Sequence, residues 1–148
     1  MSRQENEACL RQHLAAENAH DIEATVATLD PDCVFIDEPL GLTFTGRAGA
    51  REHYGMWWSA FGNTVERGRL HWVDNDLLIG EAVFVGRHVG PFAGIAATGA
   101  QLALPFVVFV TFRNGLLGGE RFVYDLNGLL RQLGQPCFEP LTNGREQP

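Results

Sequence analysis

The acid–base candidates in this chain are carboxylates and histidines that border apolar runs. Asp125 ends the run Arg121-Phe122-Val123-Tyr124. In an apolar hollow the charged form of such an acid is disfavoured, so its pKa rises and it can exchange protons near neutrality. Strand alternation groups Arg121 and Val123 with Asp125 and sets Phe122 and Tyr124 opposite. Arg121 could then hold Asp125 ionised or bind a substrate oxygen. The competing role for Asp125 is N-cap of a short helix over Leu126 to Leu133. Asp37 and Glu38 form a second acid pair. Adjacent strand residues face opposite ways, so at most one meets a cavity, and a solvated pair beside a turn is the simpler reading. His13 lies on a helical stripe, where a histidine is usually part of the core. His88 ends a strand before Gly90-Pro91 and is a further pocket candidate. No two histidines have HxxxH or HxH spacing, so no metal site is expected.

These side chains depend on the elements that hold them. Leu10, His13, Leu14 and Glu17 fall at helical spacing within Glu5 to Asn18. Asp21 suits the N-cap of a second helix through Leu29, ended by Asp30-Pro31. Cys33 to Glu38 is strand-like and leads into Pro39-Leu40-Gly41. Thr45-Gly46 opens a third helix with the apolar stripe Tyr54, Trp57, Trp58 and Phe61, which must bury against a sheet. Strands are expected over Val65 to Val73 and Leu77 to His88, joined at Asp74-Asn75-Asp76. A hairpin follows: Leu102 to Phe112 turns at Asn114-Gly115, since both residues tolerate positive φ. Pro105 cannot donate to a ladder and should mark a bulge or bend. Helices followed by a run of strands argue α+β, a curved antiparallel sheet wrapped on three N-terminal helices.

The 148 residues suffice for one domain with a core and a pocket, and 141–148 read as a loose tail. The formal charge of −7 argues against nucleic acid or an anionic membrane as partner. No window approaches the roughly 18 apolar residues of a membrane span. The polar start MSRQENEA has no secretory pattern, and the unpaired Cys9, Cys33 and Cys137 suit reduced thiols, so a cytoplasmic location is expected. Gly90 to Gly99 is glycine-rich but lacks the Lys and Ser/Thr of a phosphate loop.

Asn18-Ala19-His20-Asp21 and the stretch DCVFIDEPLGLTFTGRAGAREHY resemble the nuclear transport factor 2-like superfamily. GRHVGPFAGIAATGAQL, together with TFRNGLLGGERFVYDLNGLLRQLG, is similar to its SnoaL-like polyketide cyclase branch. The likeness runs from Leu10 to Gly134. It implies a cone-shaped α+β fold with an internal apolar pocket, no cofactor, and often a homodimer. Asp125 matches the acid/base aspartate of the cyclases, which mediate aldol-type closure of aromatic polyketide rings, and His88 stands at a recurrent cyclase position. The first half also resembles ketosteroid isomerases, whose base precedes a Pro-x-Gly; Glu38 is the matching residue. The isomerase tyrosine falls at His13, and its second oxyanion donor falls near Val108 or Phe109, which cannot donate. Losing such a donor costs roughly 2–4 kcal/mol of transition-state stabilisation, which disfavours isomerase activity.

The expectation is a cofactor-independent cyclase- or isomerase-type enzyme acting on a small apolar carbonyl compound. Asp125 would move the α proton, and His88, His13 or Arg121 would steady the enolate oxygen. Tyr54, Trp57, Trp58, Phe61, Phe35 and Glu38 would contact substrate. The alternative is a non-catalytic binder or dimerising module on the same fold. Third is epoxide-hydrolase-like water activation, which wants an Asp-Arg-Asp set only partly supplied by Arg121 and Asp125.

Overall fold

A computed structural model describes residues 2–141. The expected tail at 141–148 lies outside the described residues apart from Leu141. The helices are α1 (Arg3–Asn18), α2 (Ile22–Ala27), α3 (Gly46–Phe61) and α4 (Leu126–Gln132). The strands are β1 (Leu29–Asp37), β2 (Leu42–Thr45), β3 (Thr64–Trp72), β4 (Leu77–Arg87), β5 (Gln101–Arg113) and β6 (Leu116–Tyr124). They form one sheet in the order β2-β1-β6-β5-β4-β3.

The α+β class holds, with one correction to the sheet. β1 runs parallel to β6, so the sheet is mixed. The chain reaches β6 only after the excursion through α3, β3, β4 and β5, and that crossover permits a parallel pair where a tight hairpin would not. β1 also begins earlier than expected, at Leu29, and α2 is correspondingly short. Pro105 marks no bulge: β4 and β5 stay in register through Val83↔Pro105. The ladder with β6 starts only at Phe106↔Tyr124, so an N–H on that side of Pro105 has no partner to lose.

Two features of the sequence hold α1 across the sheet. The Asn6 side chain donates to the Asn75 carbonyl (2.7 Å) and to Asp76 Oδ1 (3.1 Å) in the β3–β4 turn. At the other end Asn18 mimics a strand, donating to the Val65 carbonyl (3.1 Å) and accepting from the Val65 N–H (2.8 Å). A capping box of Ser2 and Glu5 starts the helix. β1 meets β6 at Gly119, whose φ is +146°; a Cβ there would lie 2.0 Å from the Val34 carbonyl oxygen. Only glycine lets the strands approach this closely beside Glu120.

Candidate active site

Between α1 and the inner face of the sheet lies a mostly apolar cavity. It is narrow, since the centre of a water molecule could sweep only about 40 Å³ of it. Its walls follow from two periodicities. Leu10, Leu14 and Glu17 line it from α1 at i, i+4, i+7 spacing, and Leu78, Gly80, Ala82 and Phe84 line it from β4 at period two. β5 contributes Phe106, Val108 and Val110, and β6 contributes Glu120 and Phe122. On β3, Arg67 and Leu70 have opposite parity yet both reach the cavity, because a bulge between them resets the alternation.

A buried polar cluster from three elements adjoins the cavity, and of its members Glu17 and Glu120 line it. His13 and Glu17 come from one face of α1, Tyr54 from α3 and Glu120 from β6, and all are buried. His13 Nε2 lies 3.7 Å from Glu17 Oε2 and 3.7 Å from Glu120 Oε1. It is 2.9 Å from the Tyr54 hydroxyl. Its other ring nitrogen, Nδ1, is 2.7 Å from Thr28 Oγ1.

Burial sets the proton affinities here. It drives the His13 imidazole down to about 4, so the ring is neutral at physiological pH. It raises both carboxyls, Glu120 well above the usual range with the charge of Glu17 adding to the effect. The Tyr54 hydroxyl is raised as well, by burial first and then by Glu120 and Glu17. Two like acids in one dry site cannot both ionise easily, so one holds a proton while the other can lose it. An acid and a base then stand at the end of an apolar slot.

The residues expected from the sequence are distributed otherwise. His13 belongs to this constellation, and Tyr54 joins it through its hydroxyl rather than as an aromatic wall. Asp125, expected in the hollow, is exposed at the N-cap of α4, makes no side-chain cap hydrogen bond and does not line the cavity. The reason is parity: Glu120, Phe122 and Tyr124 point inward, which turns Arg121, Val123 and the continuing Asp125 outward. Arg121 accordingly lies on the outer face, over the Phe109 ring at 4.0 Å and 3.8 Å from exposed Glu38. Glu38 is thus away from the cavity, and its neighbour Asp37 is the buried member of that pair, accepting from the Tyr124 hydroxyl at 2.8 Å.

His88 is fully buried but sits apart from the cavity, beside Phe61 and with Nδ1 accepting from the Thr98 N–H at 3.2 Å. Trp57 stacks on Phe84 in the core, and Trp57 and Phe61 both pack on Phe92. Phe35 packs in the core on Tyr54 and His53, and Trp58 stacks on His20. Trp57, Phe61, Phe35 and Trp58 do not line the cavity. Glu17 and Glu120 are the residues the sequence reading missed as site candidates. Glu17 was legible as the i+4 neighbour of His13, and Glu120 as the same-parity neighbour of Phe122 and Tyr124.

Among the described residues, no group of three or more His, Cys, Asp or Glu is arranged to hold a metal ion. Among the same described residues, no helix is long and apolar enough to cross a membrane.

The family model for SnoaL-like polyketide cyclases matches residues 7–133. A SnoaL-like polyketide cyclase structure from Jannaschia sp. CCS1 superposes with a TM-score of 0.80 at 20% identity, covering 90% of this chain and 94% of that one. TsrD from Streptomyces laurentii gives 0.77 at 27% identity, with 90% and 98% covered. A protein of ketosteroid isomerase-like fold from Catenulispora acidiphila, in complex with trimethylamine, gives 0.74 at 20% identity, with 89% and 97% covered. Among curated proteins nothing matches.

Proposed function

Because the chain belongs to the SnoaL-like polyketide cyclase family, we propose that it is a cofactor-independent acid–base enzyme acting on a small, apolar, carbonyl-bearing molecule. The observation that carries this reading is the pair of buried carboxyls, Glu17 and Glu120, facing a mostly apolar cavity beside a neutral histidine. The ionised member takes a proton from the carbon α to a carbonyl. The protonated member hydrogen-bonds the carbonyl oxygen as it becomes an enolate, then returns the proton. In a ring closure the enolate carbon attacks a second carbonyl of the same molecule, and the new alkoxide oxygen takes the acid's proton. Positioned acid–base catalysis of this kind is worth about 10²–10⁴-fold. The apolar walls supply binding and keep both acids poorly solvated. A narrow cavity implies that side chains such as Leu14 and Leu70 move aside for a ring system.

The test is deuterium exchange α to the carbonyl of an aromatic β-keto ester, followed by NMR. The parent should accelerate exchange, and Glu17→Gln and Glu120→Gln should each lose about 10²–10⁴-fold. Exchange within a few-fold of the parent in both variants refutes the assignment. A β-keto ester that raises the melting temperature without exchanging would instead favour a binder. We assign the homodimer and the cytoplasmic setting to this same proposal. Sedimentation would check the first, and the three free thiols, Cys9, Cys33 and Cys137, suit the second.

A further inference from the structure

The hydrogen-bond chain behind the site runs in one direction only. Thr28 Oγ1 lies 2.6 Å from the Thr25 carbonyl, which can only accept, so the Thr28 proton is committed there. At 2.7 Å from His13 Nδ1, the same oxygen must then accept, and Nδ1 must carry the ring proton. The Thr25 carbonyl acts on the ring in the same sense, favouring a proton on it. His13 Nε2 is therefore a bare lone pair, and the Tyr54 hydroxyl, 2.9 Å away, donates to it. That turns the tyrosine proton away from the cavity and leaves the carboxyls as the proton donors at its polar end.

We propose that Thr28 is a positioning residue that fixes His13 as the Nδ1–H tautomer, so that carbonyl recognition falls to Glu17 and Glu120 rather than to Tyr54 or His13. The consequence for catalysis rests on the acid–base reading above; the tautomer does not. Among the described residues, Nδ1 has no partner beyond Thr28 Oγ1 and the Thr25 carbonyl. Glu17 from α1 and Glu120 from β6 lie on the Nε2 side with Tyr54 of α3. His53 of α3 is held neutral, pushed down to about 3 by burial and then by His13. Cys33 of β1 completes the titratable surroundings through its effect on Tyr54.

The experiment is ¹⁵N NMR of the His13 ring at neutral pH, beside the pH profile of the exchange reaction. The parent should show Nδ1 protonated and Nε2 bare. Thr28→Val removes one neutral hydrogen bond at Nδ1 and should raise the share of the Nε2–H tautomer by up to about tenfold. An Nε2–H would donate to the Tyr54 oxygen 2.9 Å away and release the tyrosine proton toward the carboxyls, favouring their ionised forms and moving the activity profile to lower pH. Thr28→Ser should restore the parent spectrum and profile. Should Thr28→Val fail to fold, the parent and Thr28→Ser spectra still decide. A parent with Nε2 protonated, or a folded Thr28→Val with an unchanged tautomer, overturns the proposal. Loss of the acid–base reading is a separate outcome: exchange that survives Glu17→Gln and Glu120→Gln with the Nδ1–H tautomer intact sinks that reading alone.

Discussion

Glu120 and Asp125 leave the same strand within one short stretch and meet opposite environments. Glu120 is buried at the end of a cavity, next to a second acid, a neutral imidazole and a phenol. Asp125 stands in solvent at the start of α4. Asp37 and Glu38 repeat the contrast one strand over, with Asp37 held by Tyr124 inside and Glu38 facing Arg121 outside. In both pairs the odd separation puts the two acids on opposite faces of a two-sided sheet. Chemistry at neutral pH needs the dry member, because desolvation is what brings a carboxyl into the range where it can both give and take a proton.

The contrast is sharpest in activity. Glu120→Gln should lower proton exchange by about 10²–10⁴-fold, whereas Asp125→Asn should leave it within a few-fold of the parent. Comparable losses in both would erase the distinction between the two acids. In stability the same strand should divide at adjacent positions. Phe122→Ala removes a buried ring from the cavity wall and should cost about 3–5 kcal/mol. Val123→Ala, on the outer face at 40% exposure, should cost under about 1 kcal/mol by denaturant titration. For the second acid pair, Tyr124→Phe leaves buried Asp37 short of a donor and should cost about 1–3 kcal/mol. Glu38→Gln breaks only a surface contact with Arg121 and should be close to neutral.

The smallest effect concerns pH. Glu17 and Glu120 have folded pKa values raised above their unfolded ones, so the folded protein binds more protons and stability falls as pH rises beyond the ordinary carboxylate range. His13 has the opposite sign. Its folded value of about 4 lies below the ordinary 6.5, so its contribution is present above 6.5 and lost as pH falls toward 4. Melting temperature should therefore decline as pH rises from 6.5 toward about 8, and the Glu17→Gln, Glu120→Gln double variant should flatten that decline. An unchanged slope over this window in the double variant would place the titration elsewhere.

Much of the architecture was legible in the residues. The α1 stripe, the aromatic stripe of α3, the Asp74-Asn75-Asp76 turn and the Asn114-Gly115 hairpin all rest on local rules of spacing and backbone freedom. The site was only half legible. His13 stood out because a titratable ring on an apolar stripe is visible in one helix. Glu120 did not, because an acid in the run Gly118-Gly119-Glu120-Arg121 looks like a turn-flanking surface residue until the parity of Phe122 and Tyr124 is carried back to it.

The order of residues by itself determined the fold class, the apolar faces and the family, since these depend on periods of two and 3.6 and on turn chemistry that operate within a few residues. Which acid is dry was decided only in three dimensions. It took α1 clamped across the sheet by Asn6 and Asn18 and the parallel approach of β1 to Gly119 to bring Glu17, Glu120, His13 and Tyr54 together. Desolvation is a property of everything that surrounds a group, and those surroundings arrive from segments far apart in the chain.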